Sequence, residues 1–531
     1  MRITTKVIQN NSLTNINTNK LLQDKLSQQM STEKKVSRPS DDPIVAIRAL
    51  RLRTNVNQVT QYYEKNVPDA ESWLEVTESA LSSMSEVVTD MIAQCTKGSN
   101  EKLTTSDRET ILTALKALRD EVYSTGNADY AGRYIFTGYR TDTPLTFEDE
   151  CEEKYTITEQ ISNAKIDKVT YVNEPDLLGL NESNYTDATY NGVTEQEVSQ
   201  GEVHRIRLSY DNVDELVKDA NNNNNNNNIE IQVWDATKGG FVNVTAESNY
   251  RSVSVHDDPY GQVGPDQVVL VKETGELLLG ENVYNKLMEK KDNPKTPENE
   301  AEIRLVYDKT NWEGNDLRPE HYFACEKTEN PGETDENTIS YNSDYLLGIS
   351  DEDKQTIEYD VGLNQTIRVN TTADEVFTHD ISRDVEDMIK AMEDTVAMEK
   401  QIEKMKKMLE KADPATTEYT TMENQLAAME KAFAFLNEKT QKMFESGITK
   451  MQGHLDAVNF AVTENGTRGQ KLELISNRLM SQKTNFETLR SENEDIDITE
   501  VAIKLSSAEL TYSSALMATG KVLQNNLMNF I

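Results

Sequence analysis

Val501-Ala502-Ile503-Lys504-Leu505-Ser506-Ser507-Ala508-Glu509-Leu510-Thr511-Tyr512-Ser513-Ser514-Ala515 decides the architecture. Within it Val501, Leu505, Ala508, Tyr512 and Ala515, continued by Thr519 and Val522, step by alternating fours and threes. That spacing is the seam of a coiled-coil helix. A helix with one narrow apolar face must bury it against another helix to offset the entropy of ordering its backbone. The opposite end of the chain offers a partner. From Met1 to about Ser31, Ile3, Val7, Leu13, Ile16, Leu22, Leu26 and Met30 recur at roughly helical spacing in an Asn-, Gln- and Lys-rich background. Both ends therefore read as long amphipathic helices that lack a compact core of their own, to be buried against each other or against a neighbouring subunit.

Working inward, Ser37-Arg38-Pro39-Ser40-Asp41-Asp42-Pro43 is a dense turn and helix-start signal. Asp42 before Pro43 is expected to be an N-cap, since its carboxylate can accept an orphan amide while proline at the first helical position loses no hydrogen bond. A long helical rod follows from Ile44 to Cys95 through Ile47, Val56, Val59, Tyr63, Trp73, Ala80, Met84, Val88 and Met91, interrupted at Pro68. After the turn Gly98-Ser99-Asn100, Ser106 or Asp107 is expected to cap a second helix with Ile111, Leu115, Leu118 and Val122 on one face. Short alternating runs then predict a β-rich insertion over about 136–375. They are Tyr134–Phe136, Lys154–Ile157, Val203–Tyr210, Ile229–Trp234, Phe241–Val244, Val253–Val255, Val268–Val271, Ile303–Tyr307, Ile357–Tyr359 and Thr366–Val369. The tract Asn221–Asn228 has no apolar content and reads as a loop.

Helical spacing returns with Met388, Met392, Met398, Ile402, Met405 and Met408, stops at Pro414, and resumes with Met422, Leu426, Met429, Phe433 and Leu436. A methionine stripe at this spacing is core rather than a soft-metal site. Gly447 and Gly453 are expected to loosen the rod before Leu472, Ile475, Leu479, Phe486 and Leu489 resume it, and Glu492–Asp497 breaks it ahead of the terminal helix. The predicted fold is α+β and elongated: N- and C-terminal helices packed as a coiled coil or helical bundle, with the β-rich region inserted between them. The expected segments are 1–43, 44–135, 136–375, 376–494 and 495–531.

A net charge of -37 over 531 residues, without a basic stripe, argues against nucleic acid and against an anionic membrane surface. No run of apolar residues is long enough to insert in a membrane, and the N-terminus has no signal-peptide pattern, so either a cytoplasmic location or leaderless export is expected. An apolar fraction of 36% and a mean hydropathy of -0.68 fit thin, surface-rich domains. Cys95, Cys151 and Cys325 are too few and too widely spaced for a disulfide framework, and the five histidines show no metal-ligand spacing. Asp41-Asp42 is the one pair that invites a metal or shared-proton reading, but adjacent side chains on a helix-start turn diverge, and capping accounts for them. Asp257-Asp258 and Asp351-Glu352-Asp353 lack the glycine and terminal glutamate of a calcium loop. No phosphate cradle, nucleophile elbow or zinc helix occurs, so no enzyme, cofactor or metal is expected.

Several short motifs then fall in a familiar order. Met1-Arg2-Ile3-Thr4 and the turn Ser37–Pro43 are followed by Ala46 and Arg48-Ala49-Leu50, then Ser72-Trp73-Leu74 and Thr77-Glu78-Ser79-Ala80-Leu81. Gly132-Arg133-Tyr134-Ile135-Phe136-Thr137-Gly138-Tyr139, Ile357-Glu358-Tyr359, Ile367-Arg368-Val369-Asn370 and Val376-Phe377 come next, and Glu494-Asp495-Ile496-Asp497 with Thr499-Glu500-Val501-Ala502 closes the series. In this the chain resembles the hook-associated protein 3 family, the hook–filament junction proteins of the flagellin superfamily, over roughly residues 1–147 and 356–531. It departs from them in a longer helical block at about 394–445 and a large β-region.

The resemblance implies a structural adaptor of the bacterial flagellum that joins hook to filament, located outside the cell and exported without a cleaved signal. Its implied partners are identical subunits in a ring, the preceding hook-associated protein, filament flagellin and a flagellar export chaperone. The alternatives are a filament-forming flagellin and, more remotely, a surface-bound enzyme in the β-insertion. The residues expected to form the assembly interface are Ile3, Leu13, Ile16, Leu22, Leu26, Val501, Leu505, Ala508, Tyr512, Ala515 and Val522. Arg38, Pro39, Asp41, Asp42 and Pro43 are expected to form the structural turn.

Overall fold

Helix starts and stops along this chain follow local chemistry closely. In the computed structural model, which describes residues 5–173, 177–187, 189–216, 228–235, 237–289, 303–331, 337–347 and 355–524, nine α-helices occur among the described residues. They are α1 (Thr5–Thr32), α2 (Pro43–Gln61), α3 (Val67–Gly98), α4 (Thr105–Ser124), α5 (Glu281–Met288), α6 (Ala373–Val376), α7 (His379–Leu409), α8 (Thr417–Glu494) and α9 (Ile498–Gln524). Asp42 caps α2 by accepting from the amides of Ile44 and Val45 at 3.0 and 3.2 Å, with Pro43 in the first turn. The cap of α4 is Thr104, not Ser106 or Asp107. Its hydroxyl accepts from the Asp107 amide while the Asp107 carboxylate accepts from the Thr104 amide, a reciprocal capping box that places Asp107 inside the first turn.

The break expected at Pro68 falls just upstream. Tyr62–Asn66 forms one π-turn, with the Val67 amide donating to the Tyr62 carbonyl, so the ladder widens before the residue that cannot donate. Conversely, α8 runs unbroken through Gly447 and Gly453. Gly447 is needed for close approach rather than for a loosened backbone, because a Cβ there would collide with the Met388 sulfur.

The chain divides into two packed units. One comprises the described residues of 1–71, 359–367 and 469–531, and the other those of 72–358 and 368–468. α3 and α8 contribute residues to both. In the first unit α1 pairs with α9. Glu358–Gly362 and Gln365–Arg368 make a two-stranded hairpin, held by hydrogen bonds from Asn66 to the Asp360 carbonyl and from Tyr359 to Asp69, each 2.7 Å.

The second unit begins with a helical bundle. α3 meets α8 through Ser85 and Asn459 and through the Asn465 amide on the Leu74 carbonyl, and meets α7 where Cys95 and Met388 place their sulfurs 3.5 Å apart. α4 and α7 are tied by Arg108–Glu399 and Lys116–Glu393. Met388, Met392, Met398 and Met405 are all buried, as core methionines should be.

Two sheets complete this unit. A six-stranded antiparallel sheet runs in the order 337–341, 324–329, 151–161, 303–312, 229–235, 240–243. A five-stranded sheet runs 167–173, 199–207, 276–279, 268–271, 250–252, with only its last pair parallel. Tyr155, Ile157 and Glu159 alternate inward on the longest strand, and Phe147 stacks on Trp312 at 4.7 Å between centroids. The strand expected at Val253–Val255 lies instead at Tyr250–Ser252, and the strands at 167–173, 276–279, 324–329 and 337–341 carry no strong alternation in the sequence. Gly275, at φ +59, turns the 268–271 strand into 276–279, and a Cβ there would strike the Tyr210 carbonyl.

The long helical block at 394–445 has a definite packing role. It forms a hairpin of α7 and α8 whose Met398, Met405, Met422 and Met429 enclose Leu177, Leu180, Tyr190, Val193 and Val198. Gln401 donates to the Leu180 carbonyl, and Gln425 donates to the carbonyls of Tyr185 and Tyr190. The segment 177–198 thus borrows its core from the helices. Of the Asn tract, residues 221–227 lie outside the described residues, as do Asp351, Glu352 and Asp353.

Candidate assembly interface

The two ends of the chain meet first through their backbones. α1 stops at Thr32 because Glu33 adopts φ +56, a left-handed terminator. The chain beyond it lies antiparallel to the segment between α8 and α9. The Lys35 amide donates to the Glu494 carbonyl at 2.7 Å, and the Ile496 amide donates to the Glu33 carbonyl at 3.1 Å. Asp497 then caps α9, accepting from the Thr499 and Glu500 amides.

Side chains lock this crossing. Arg53 of α2 grips the buried Glu494 carboxylate with two bonds of 2.7 Å, which hold the guanidinium pKa above its usual value, and Lys34 pairs with Asp495. Asn493 donates to the Val45 carbonyl. The adjacent carboxylates of Asp41 and Asp42 take separate tasks: Asp41 accepts from the Arg38 amide at 3.1 Å and closes the turn, while Asp42 caps α2. Arg38 and Pro39 line a groove of about 180 Å3 with Val45, Ala49, Leu50 and Glu494. The turn and the 494–497 segment, far apart in the chain, are therefore one structure.

From this crossing α1 and α9 run side by side. Leu26, Val501 and Ala508 form a small buried cluster with Met30, Ile496 and Leu505 against it. Along α9, Tyr512 and Ala515 are half-buried and continue the seam, while the Val522 side chain and Ile3 lie outside the described residues. On α1 the covered positions include Gln9, Ser12, Ile16, Asn19, Gln23, Leu26 and Met30, again in threes and fours, with Gln29 beside the last. Leu13 and Leu22 are not among them and stand 55% and 48% exposed. The α1 side of the seam is thus largely polar.

A second stripe escaped the sequence reading. Ile503, Leu510 and Met517 recur every seven residues on α9 and are 66%, 71% and 67% exposed. On α2, Ile44, Ile47 and Leu50 are likewise exposed. The signal was present as a heptad repeat offset by two from Val501, but one apolar stripe had already explained the helix.

Charge is concentrated elsewhere, where the five-stranded sheet meets α7 and α8 in the second unit. Arg205 and Arg207 alternate on one strand and point at Asp384 and Asp387. Arg205 binds Asp387 at 2.8 and 3.1 Å, Asp167 at 2.7 Å and also Glu276, and Arg207 binds Asp384 at 2.7 Å and Asp387 at 2.9 Å. Lys450 and His454 of α8 close on Asp384. Burial alone would raise the Asp387 pKa, but Arg205 and Arg207 hold it down at about 2. Arginines at period two and aspartates at helical spacing were the available signal, and neither was singled out from the sequence. Among the described residues no group of His, Cys, Asp and Glu is placed to hold a metal ion, and no helix is long and apolar enough to cross a membrane.

Comparison with known proteins finds flagellar relatives. Residues 3–141 match the bacterial flagellin N-terminal helical region. Flagellar hook-associated protein 3 of Salmonella typhimurium is 34% identical over 143 residues, 27% of this chain and 45% of that protein. The Escherichia coli protein of the same name is 33% identical over 144 residues, with the same shares. The chain therefore spans a little under half the length of the curated relatives it matches. Among solved structures, a putative flagellar hook-associated protein from Vibrio parahaemolyticus is 14% identical with a TM-score of 0.33, covering 86% of this chain and 100% of its own. The flagellar junction protein FlgL from Legionella pneumophila is 11% identical with a TM-score of 0.26, covering 81% and 99%. Residues 3–141 are thus similar to the bacterial flagellin N-terminal helical region, and 143 residues of the chain are similar to flagellar hook-associated protein 3.

Proposed function

We propose that this protein is a structural adaptor of the bacterial flagellum that joins hook to filament by helix packing. The observation that carries the reading is α9, which has one apolar stripe on α1 and a second, Ile503, Leu510 and Met517, left to solvent. An isolated helix pair has no use for that second stripe, whereas a ring of identical subunits would cover it. Each such side chain contributes on the order of 1.5–3 kcal/mol when fully buried, so a few positions per subunit outweigh the ordering cost. The likeness of 143 and 144 residues of this chain to two proteins named hook-associated protein 3 supports the junction over a self-polymerising filament subunit. Its partners would be copies of itself, the preceding hook-associated protein on one side and flagellin on the other, with an export chaperone covering α9 beforehand. The protein would act outside the cell, reached without a cleaved signal, and would carry no catalytic activity.

Substituting both Ile503→Asp and Leu510→Asp tests the reading, since these side chains are exposed and the subunit should fold normally. We expect soluble protein with unchanged helicity, flagella that stop at the hook, and unpolymerised flagellin in the medium. Normal filaments carrying the double variant would overturn the proposal. Labelled imaging separates junction from filament: signal confined to the hook–filament boundary is expected, and signal along the filament would establish the flagellin alternative.

A further inference from the structure

The chain contains two Asn-Gly pairs, Asn191-Gly192 and Asn465-Gly466, and the fold treats them in opposite ways. An asparagine followed by glycine is chemically labile where the backbone nitrogen of the glycine can reach the side-chain amide carbon. Asn465 is buried within α8, its side chain donating to the Leu74 carbonyl at 3.0 Å, and helical geometry keeps the next nitrogen away from it. Asn191 and Gly192 are both exposed, in a turn in which the Asn191 amide donates to the Asp187 carbonyl and the Val193 amide to the Tyr190 carbonyl. Neither the Gly192 amide nor the Asn191 side chain makes a hydrogen bond among the described residues. A Cβ built on Gly192 would meet no atom within 4 Å, so the turn is open on the side where a side chain would stand.

We infer that Asn191 is a site of spontaneous deamidation, a modification that this fold directs to one asparagine-glycine pair and withholds from the other. The Gly192 nitrogen attacks the Asn191 side-chain carbonyl carbon. A bond forms between them, the bond to the side-chain nitrogen breaks, and ammonia leaves with the proton that the Gly192 nitrogen gives up. Water then opens the resulting five-membered imide at either carbonyl, giving aspartate or isoaspartate. The isoaspartate route inserts one extra carbon into the backbone between Tyr190 and Val193. Both flanking side chains are buried against the α7–α8 hairpin, and Gln425 holds the Tyr190 carbonyl at 2.9 Å. A longer backbone cannot keep both anchors in place, so the reaction acts as an ageing mark that loosens 177–198 from its core.

The test incubates the full chain, folded, at mildly alkaline pH and maps peptides by mass spectrometry with isoaspartate-specific methylation as a second readout. The expected result is a gain of one mass unit at Asn191 with none at Asn465, followed by faster proteolysis within 177–198. Gly192→Ala should slow the reaction by roughly an order of magnitude, because a Cβ restricts the backbone and hinders the attacking nitrogen. Unfolding in urea should make both asparagines react. Persistence of Asn191 in the folded chain, or equal reaction at both sites before unfolding, would overturn the inference.

Discussion

Glu33 stands in a conformation that its own chemistry disfavours. At φ +56 its Cβ crowds the following carbonyl, yet the position must be left-handed for the chain to leave α1 and pair with the segment after α8. Its carbonyl, not its side chain, makes the useful contact, accepting from Ile496. Glu33→Gly should therefore stabilise the crossing by about 1 kcal/mol, the left-handed penalty removed less the added freedom of the unfolded chain. Slower hydrogen exchange at the Lys35 and Ile496 amides in the full chain would register the gain, and unchanged or faster exchange would show that the terminator is not strained. The Asp41-Asp42 pair gives a companion lesson. Adjacent carboxylates invite a shared-proton reading, but as expected of a helix-start turn they serve different backbone donors, Asp41 the Arg38 amide and Asp42 those of Ile44 and Val45.

At the scale of elements, the α1–α9 pair is a coiled coil with one weak side. α9 offers Val501, Leu505, Ala508, Tyr512 and Ala515, while α1 answers with Gln9, Ser12, Asn19 and Gln23 between Ile16, Leu26 and Met30. Replacing Asn19 and Gln23 with leucine should stabilise the pair by about 1 kcal/mol each, since these half-covered positions gain part of a full burial. Circular dichroism of the full chain on heating would show the low-temperature phase moving upward, and a doubly substituted chain that melts as before would exclude these positions from the seam. The residues also explain what the sequence could disclose. The heptad in α9, the Asp42-Pro43 start and the methionine stripe were legible because each rests on local periodicity or capping. The pairing of Glu33 with Ile496, the partner of Arg53 and the role of the 394–445 hairpin were not, since each joins residues distant in the chain. Strands such as Ala324–Glu329, with Glu326 and Lys327 on the ladder, failed for another reason: an interior strand with one solvated face carries too few apolar residues to announce itself.

For the molecule as a whole, the two packed units should not unfold as one, so each needs its own probe. All three tryptophans, Trp73, Trp234 and Trp312, belong to the unit with the sheets, which makes intrinsic fluorescence its private reporter. That unit buries two histidines. Burial lowers the His321 pKa to about 4 and the His379 pKa to about 3, the latter inside a cage of Tyr210, Tyr322 and Phe323 with its Nε2 unpartnered among the described residues. In the unfolded chain both would take up a proton near pH 6.5, so below that value the unfolded state binds more protons and stability falls as pH drops toward 4. Together they remove on the order of 4 kcal/mol between pH 6.5 and 4.5. Glu159, Asp316 and Glu386, whose carboxyl pKa values are raised chiefly by burial, act in the opposite sense and offset part of this. Asp384 and Asp387, depressed by their cationic partners despite burial, add a further loss only below about pH 4. His379→Phe keeps the aromatic contacts and removes one titrating group. It should flatten the dependence of fluorescence-detected urea stability on pH by about 1.4 kcal/mol per unit between pH 6 and 4.5, while leaving stability at pH 8 within about 1 kcal/mol of the parent. An unchanged slope would mean that His379 is protonated equally in both states, and that its cage opens before the sheets do.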